Sequence, residues 1–293
     1  MTKATTMPTR LHDTRVKQYY EETNIDYEIF LQRNNHLGMH YGFWEWGIFS
    51  ISQAVINQNQ VLANQVDIQK HMRVLDAGCG VGGSAIFLAQ HYGCKVDAIT
   101  IVPSQVTAVK KNAQARNVSN LVFPSLQDYT KTTFPNNTFD VVWAVESVCH
   151  TPNKKQFLKE AYRILKPGGK LIMADGFLTK AYESQNKMYK KFLRLWWDGW
   201  AVSDLFSTQS FISWSEKAGF HITSMKNENK RTALSSLYFF LLSLGGWIIV
   251  WPLLFLRIRT SVFLMQTQAC FFQWITRQLH VWKYVIVVCE KSK

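Results

Sequence analysis

The chain has 293 residues, of which 47% are apolar, so it is long enough for one large domain or two small ones with a full core. Lysine and arginine number 33 against 20 aspartate and glutamate residues, which gives a net charge of +13. This excess suits an anionic membrane surface or a phosphorylated substrate, or needs no partner at all, and the lack of long basic runs argues against nucleic acid.

Cysteine usage and the N-terminus indicate the compartment. The cysteines show no C-x-x-C pair and no histidine cluster at metal spacing; they are Cys79, Cys94, Cys149, Cys270 and Cys289. An odd count without a framework predicts reduced thiols inside a cell and no metal. The start, "MTKATTMPTRLHD", has no apolar core of a secretory signal. We therefore expect an intracellular protein, cytoplasmic or peripheral on a membrane surface.

Along the chain, the pattern changes at Met72. Residues 13–60 are predicted to be helical with aromatic-rich interruptions. Short apolar runs then alternate with amphipathic helical stretches: "MRVLDAG", "CKVDAIT", "NLVF", "FDVVWAV" and "GKLIMADG", with "KYVIVVCEK" as a final strand. This βαβα alternation predicts an α/β fold with a mostly parallel sheet covered by helices.

The most specific local signal is "VLDAGCGVGGSAIFLAQ". A strand ends at Asp76, glycines follow at positions 78, 80, 82 and 83, and a helix begins. Glycines let the backbone turn tightly and approach a ligand closely. A carboxylate at Asp76 would repel a pyrophosphate and suits a cationic ligand. S-adenosylmethionine, with an ammonium and a sulfonium, is such a ligand.

This D-x-G-x-G-x-G-G pattern resembles that of class I S-adenosylmethionine-dependent methyltransferases. "FPNNTFDVVWAVESVCH", "FLKEAYRILKPGGKLIMAD" and "FISWSEKAGFHI" resemble later elements of that family, in the same order. The resemblance covers residues 70–225 and the final strand. It implies a Rossmann-like fold with a seven-stranded sheet, an antiparallel last strand and a helical cap. It places the cap at residues 1–66 and the core at 67–293. A nucleotide-binding domain without catalysis is the alternative.

The same resemblance assigns cofactor-binding residues. Gly78 and Gly80 belong to the glycine loop, with Asp76 before it. Many class I members end the second strand with Asp or Glu, whereas this chain has Thr100 and then Gln105. That pair resembles the branch of sterol C-methyltransferases, tocopherol methyltransferases and cyclopropane fatty acid synthases. Gln105 would offer its amide to the ribose; a solvated position at the helix start is the alternative.

A turn after the third strand carries the next candidates, Gln127 and Asp128. In the family, an acidic residue here faces the adenine amino group, and a carboxylate can accept from that N–H. A solvated turn is the alternative.

After the fourth strand, "AVESVCHT" places Glu146 and His150 four residues apart. The carboxyl ends of parallel strands face the ligand crevice, and residues i and i+4 share one helical face. A carboxylate beside an imidazole can support a cation and accept a proton. Both are the predicted catalytic residues; the alternative is that they only shape and pack the loop.

The segment before the core resembles the same lipid-acting branch, in which a tyrosine-rich helix precedes an aromatic box. Tyr19, Tyr20 and Tyr27 match the helix, and "MHYGFW" matches the box in its tocopherol-type form. The box departs from the fuller one of the sterol enzymes. Tyr41 is expected against the cofactor, where an aromatic face would stabilise a cation; packing of helix on core is the alternative.

A second apolar feature lies near the end of the chain. From Leu237 to Leu256 there are 20 residues without a charge, about the length that crosses a bilayer. The flanking strands belong to one sheet in the resembled family, which excludes a single crossing. Either Gly245-Gly246 and Pro252 break the run into a lid of short helices, or a hairpin dips into one leaflet.

We favour a lid, within an insertion at about 230–280, whose apolar outer face rests on the membrane; a wholly soluble lid is the alternative. Its flanking basic residues would bind anionic lipid; these are Lys230, Arg231, Arg257 and Arg259.

The predicted function is methyl transfer from S-adenosylmethionine to an apolar small molecule, an isoprenoid or other lipid, with C-methylation favoured. N-methylation of an amine with His150 as base is one alternative. A membrane-associated S-adenosylmethionine-binding protein without turnover is the other.

Overall fold

The computed structural model describes the backbone of residues 9–30, 36–257 and 259–292, and the side chains of these ranges except 9–12 and 24–30. Tyr27, one of the tyrosines matched to the N-terminal helix, lies outside the described side chains.

The sheet runs in the order β3-β2-β1-β4-β5-β8-β7, with a short β6 beside β5. Its strands are β1 Arg73–Ala77, β2 Lys95–Thr100, β3 Val122–Leu126, β4 Phe139–Val145, β5 Leu165–Leu178, β6 Phe206–Ser207, β7 Phe220–Asn227 and β8 Trp282–Lys291. The pairings among β1 to β6 are parallel, and β8 lies antiparallel between β5 and β7. The predicted seven-stranded path with its antiparallel last strand is confirmed; the two-residue β6 is additional.

The strands are apolar runs because helices cover both faces of the sheet. Two clusters of buried side chains, one on each face, include Trp143 and Val141 in the first and Phe139 and Val142 in the second. This alternation within β4 places one core on each side. The helices are α1 Thr9–Phe30, α2 Ile51–Val66, α3 Gly83–Tyr92, α4 Pro103–Ala115, α5 Lys154–Ile164, α6 Lys187–Gly199, α7 Thr208–Ala218, α8 Asn229–Phe255 and α9 Ser261–Gln278.

The Lys-Pro-Gly-Gly segment lies within β5 rather than before it. The register with β4 moves from Phe139–Leu165 to Val141–Lys170, so the segment forms an irregular bulge. Gly168 adopts a φ of 75° there, a conformation that glycine takes without steric cost.

Helix α8 contradicts the prediction that Gly245-Gly246 and Pro252 break the apolar run into short helices. It continues unbroken to Phe255. Pro252 lies in the last turn, so the one helical bond that it removes, to the carbonyl of Ile248, affects only the C-terminal end of the helix. Gly246 faces Thr267 of α9, and an added Cβ would lie 2.9 Å from its Cγ2. The close packing of the two helices offsets the weak helix propensity of glycine.

Helices α8 and α9 form a hairpin, here called the α8–α9 hairpin (residues 229–278), that leaves the sheet after β7 and returns to β8. Because β7 and β8 pair with each other, the hairpin leaves and returns on the same side. By length and composition, α8 is the one candidate membrane span among the described helices, with a mean hydropathy of 2.0 over its most apolar window.

Candidate active site

The site lies where the strand order reverses, between β1 and β4. Open parallel sheets bind ligands at the carboxyl ends of the strands at such a point. Two cavities meet there, a smaller one over the glycine loop and a larger one under the α8–α9 hairpin. The side chains that line both are Tyr20, Met39, His40, Glu146 and His150.

Most of the predicted cofactor residues line the smaller cavity: Asp76, Gly78, Gly80, Thr100, Gln105 and Asp128. Gly78 has a φ of 92°, and a Cβ there would lie 2.5 Å from the Cβ of Ser147. Gly80 has a φ of 52°, and its nearest neighbour would be the sulfur of Met39 at 3.2 Å. The loop therefore exposes bare backbone to the cavity.

Asp76 is one of four carboxylate side chains that line this cavity, with Asp13, Asp128 and Glu146. Its carboxylate accepts from the backbone N–H of Ala85 in the first turn of α3, and burial raises its pKa from 3.8 to about 7. Its Oδ2 atom is buried without a hydrogen-bond partner. A buried polar atom without a partner carries a desolvation cost that a ligand donor would remove. The carboxylate is thus prepared for a cationic or N–H-bearing ligand.

At the other end of this cavity, Thr100 donates from its hydroxyl to Oε1 of Gln105 at 2.6 Å. This bond holds the Gln105 amide at the cavity wall. Asp128 accepts from the backbone N–H and the hydroxyl of Thr130, at 2.7 and 2.8 Å. Gln127 points away from the cavity, where its amide bonds Ser125 and Thr133.

Tyr41 lines the larger cavity and not the smaller one, and its expected place against the cofactor stays a prediction. Its hydroxyl donates to Oε1 of Gln273 on α9 at 2.9 Å. Its ring packs edge-on against Phe239 and Tyr284, with centroids 5.4 and 5.7 Å away. The hydroxyl is fixed by α9, and this anchoring turns the ring toward the hairpin.

Glu146 stands at the junction of the two cavities. It follows β4 with a φ of 47°, an uncommon conformation for a residue other than glycine. Its Oε1 accepts from the backbone N–H of Tyr41 at 2.9 Å and from the hydroxyl of Tyr284 at 2.7 Å. Gln58 donates to that hydroxyl at 2.7 Å. The carboxylate is held by β8 and the aromatic box together.

Burial raises the pKa of Glu146 from 4.5 to about 8, although the bonds from Tyr284 and Tyr41 lower it. A carboxyl group with a pKa near neutrality can accept or deliver a proton under physiological conditions.

His150 ends a short turn, Val148–His150, beyond β4. Its Nδ1 lies 3.0 Å from the carbonyl of Ala201. A carbonyl only accepts, so Nδ1 donates and Nε2 accepts from the Tyr20 hydroxyl at 3.0 Å. Burial lowers the pKa of His150 to about 4, which keeps the ring neutral. The basic atom of His150, Nε2, therefore faces the hydroxyl of Tyr20.

The larger cavity measures about 390 Å³ and is mostly aromatic. Trp196, Trp200, Trp282 and Phe239 form its walls, and Glu146 and Asp175 are its carboxylates. Within the part of the chain that the structure describes, neither cavity is lined by a lysine or an arginine. An anionic group would find no counter-charge there, so the geometry favours neutral or cationic apolar ligands.

Several cavity residues were not identified from the sequence. Asp175 accepts from the backbone N–H groups of Cys149 and Gly176, at 3.0 and 2.7 Å. Asp175 lies toward the carboxyl end of β5, which faces the crevice. The same reasoning from strand ends that identified Glu146 could therefore have identified Asp175. Tyr284 lies far along the chain, and no local signal marks it. Over the described residues, no group of three potential ligands is arranged to hold a metal.

Comparisons with known proteins agree with this geometry. Residues 75–173 match the family model described as a methyltransferase domain. The chain is 30% identical over 207 residues to cycloartenol-C-24-methyltransferase 1 of Oryza sativa subsp. japonica, covering 71% of this chain and 59% of that protein. It is 28% identical to norajmaline N-methyltransferase of Rauvolfia serpentina, over 95% of this chain and 98% of that one.

Among solved structures, a cyclopropane synthase from Mycobacterium tuberculosis shares the fold, with a TM-score of 0.82 at 14% identity over 96% of this chain and 98% of that one. The chain spans only 45–59% of the length of the sterol methyltransferases of rice, yeast and Aspergillus that it matches.

Proposed function

We propose that this chain, which carries a class I S-adenosylmethionine-dependent methyltransferase domain, methylates an apolar small molecule, with C-methylation of an isoprenoid or related lipid favoured. The observation that carries the proposal is the meeting of two cavities at Glu146. One cavity is a glycine-lined cradle with an unpaired carboxylate oxygen, and the other is an aromatic chamber.

The smaller cavity fits S-adenosylmethionine by its donor set. Oδ2 of Asp76 lacks a partner, so it can receive the ammonium group. Gly78 and Gly80 bring bare backbone to the ligand, and the paired Thr100 and Gln105 suit a ribose. Asp128 lines the same cavity, which supports a role for it toward the adenine amino group. When bound, S-adenosylmethionine supplies an electrophilic methyl group carried on a sulfonium.

The walls of the larger cavity suit the positive charge that an alkene develops when it accepts a methyl group. Aromatic faces stabilise a nearby cation by roughly 0.5–2 kcal/mol each. Tyr41, Trp200 and Trp282 offer such faces. Glu146 adds a carboxylate at the junction, which can hold the charge and then take a proton from the substrate carbon beside it. The buried, preorganised groups need little rearrangement during the reaction.

N-methylation of an amine is the second candidate. The similarity to an N-methyltransferase over nearly both full lengths favours it. So do the two carboxylates of a cavity otherwise lined by aromatic rings. In this case Glu146 would take the proton from the amine. Tyr20, whose hydroxyl is bonded to His150, would position the substrate nitrogen.

We also propose that the protein works at the surface of an anionic membrane. Large apolar side chains of α8 are exposed to solvent, among them Ile248 at 77%, Trp251 at 59% and Phe255 at 86%. The α8–α9 hairpin carries five basic residues and no acidic one. Arg277 is buried and Arg231 pairs with Glu45 and Glu228, whereas Lys230 and Arg257 are exposed. An apolar face with basic flanks is the pattern of interfacial helices.

Incubation with tritium-labelled S-adenosylmethionine tests the proposed reaction. A neutral lipid fraction and a set of apolar amines serve as acceptors in separate reactions. We expect label in the neutral lipid fraction with the wild type, and a large loss of label with Glu146→Gln. Label confined to the amines would support the second candidate. Label in neither fraction, from protein that binds S-adenosylmethionine, would leave a binding protein without turnover.

A further inference from the structure

The two adjacent glycines of α8 have different surroundings. Gly246 is buried, and a Cβ there would lie 2.9 Å from Cγ2 of Thr267, so the contact of α8 with α9 requires its small size. Gly245 is exposed, and a Cβ there would meet nothing within 4 Å. Its φ is not in the left-handed region. Neither packing nor backbone conformation requires a glycine at 245, and glycine weakens a helix interior.

Gly245 is part of a strip of α8 that both lines the aromatic cavity and is exposed to solvent. Leu241, Gly245 and Ile249 follow one another at four-residue spacing and share one side of the helix. All three line the aromatic cavity. All three are also exposed to solvent, Leu241 at 54% and Ile249 at 47%. Residues that belong to both the wall and the surface mark the mouth of a cavity.

The opposite edge of this mouth is formed by α9. Phe263, Gln266 and Thr267 line the cavity from that side. On the outer surface, the strip is continuous with the exposed Leu244, Ile248 and Trp251 of α8. The mouth therefore opens onto the apolar face of the hairpin and not onto a polar surface.

We propose that this strip is a portal through which an apolar substrate enters the cavity directly from the lipid of an anionic bilayer, with Gly245 keeping the opening clear. The inference rests on the proposed function, because it specifies how the same cavity is loaded. Lys230 and Arg257 of the hairpin are exposed and the hairpin has no acidic residue, which matches an anionic surface. An apolar molecule would then pass from lipid to cavity without crossing water.

Substitution of Gly245 by a large side chain tests the portal. Gly245→Trp places its indole over the mouth, in space that is open. Leu244→Trp is the matched control, because Leu244 is exposed on the same helix and does not line the cavity. The probe is N-phenyl-1-naphthylamine, a neutral apolar fluorophore, and its entry is followed by stopped-flow fluorescence. No methyl transfer is needed, so this result is independent of the proposed reaction.

We expect Gly245→Trp to slow probe association by roughly tenfold or more, as restricted access lowers an association rate, and Leu244→Trp to leave it unchanged. Both variants should keep their S-adenosylmethionine affinity by calorimetry and their unfolding temperature. Equal rates for the two variants would overturn the portal.

A second experiment tests whether a lipid bilayer covers the apolar face of the α8–α9 hairpin. The wild type is mixed with vesicles of phosphatidylcholine and phosphatidylglycerol that carry the probe. We expect co-flotation with the vesicles and delivery of probe to the cavity. Failure to float would overturn the assignment of lipid. So would a stable dimer that buries the hairpin and does not dissociate on vesicles, since a second copy would then cover the face.

Discussion

At the residue scale, Asp76 is a buried carboxylate and Glu146 a half-buried one at the ends of neighbouring strands, yet their partners differ. Asp76 has one oxygen without a partner, whereas Oε1 of Glu146 accepts two hydrogen bonds. The first arrangement leaves charge for a ligand. The second fixes a carboxylate in place, with two donors that stabilise its ionised form.

Asp76→Asn should weaken S-adenosylmethionine binding, because the charge that faces the ammonium group is lost. Burial raises the pKa of Asp76 to about 7 in the free protein. A proton on this carboxyl competes with the cation, so the wild-type affinity should increase as pH rises through about 7. Calorimetry at pH 6 and pH 8 measures the change.

The amide side chain that this substitution introduces does not titrate, so most of the pH dependence should disappear in the variant. A neutral analogue that lacks the amino group serves as the control ligand, and its affinity should change little. Equal losses for both ligands would show that Asp76 only supports the loop through Ala85.

Glu146 should set the pH dependence of turnover. Its pKa is about 8, and its ionised form is the one that holds a cation or takes a proton. The rate should therefore rise with pH through about 8, and Glu146→Gln should lose roughly a hundredfold in kcat, within the usual range for acid–base groups. Tyr284→Phe removes a donor to the carboxylate and should move the inflection to higher pH. A flat profile between pH 6 and 9 would contradict this role.

At the scale of elements, the apolar run of α8 shows where local reasoning succeeds and fails. The length of the run can be read directly from the sequence. The return of the chain to the same sheet follows from the pattern of strands, because the two strands that flank the run, β7 and β8, pair with each other. Its continuity does not follow, because the contact of Gly246 with Thr267 forms only when α9 packs beside α8. Phe239, in the same run, faces Tyr41 in the cavity and not the outer surface.

Replacement of Ile248, Trp251 and Phe255 by serine should abolish association with anionic vesicles. These side chains are largely exposed, so the core should stay intact, and S-adenosylmethionine affinity should not change. Wild-type binding should also weaken with salt, because ions screen the basic flanks. Vesicle flotation measures both effects.

Leu126→Ser is the control for this triple variant. Leu126 is also exposed, at 55%, but it lies on β3 at the far edge of the sheet. Its replacement should leave flotation unchanged. If the triple variant floats as well as the wild type, the outer face of α8 does not contact lipid.

At the scale of the whole molecule, the cofactor half of the site was more predictable than the substrate half. Asp76, Gly78, Gly80, Thr100 and Gln105 lie within 30 residues of one another, and one motif identifies their surroundings. The aromatic chamber brings together Tyr41, Trp200 and Trp282. The sequence marks Tyr41 through its aromatic box, but Trp200 and Trp282 come from segments that meet it only once the sheet has formed, so no short pattern reports them.

The buried carboxylates predict that the free protein loses stability as pH rises. Burial raises the pKa of Asp76, Glu146 and Asp175 to about 7, 8 and 6. Between pH 4 and these values the folded state keeps protons that the unfolded state releases, so the free energy of unfolding falls with pH. His150 acts in the opposite direction, but only below its ordinary pKa of 6.5.

Between pH 6.5 and 8 the carboxyl groups should therefore govern most of the change, on the order of 1 kcal/mol per pH unit for each group still titrating. Above that range the buried thiols, whose pKa burial raises, add to the fall. Thermal unfolding without ligand measures it. Glu146→Gln should reduce the fall. A midpoint that rises over this interval would contradict the assignment of protonated carboxyl groups.

The most direct measurement uses S-adenosylmethionine with a trideuteromethyl group, incubated with the protein and a neutral lipid extract, and mass spectrometry of the products. We expect an apolar product that carries one trideuteromethyl group in place of one hydrogen, and its loss with Glu146→Gln. No labelled neutral lipid, from folded protein that binds S-adenosylmethionine, would contradict it.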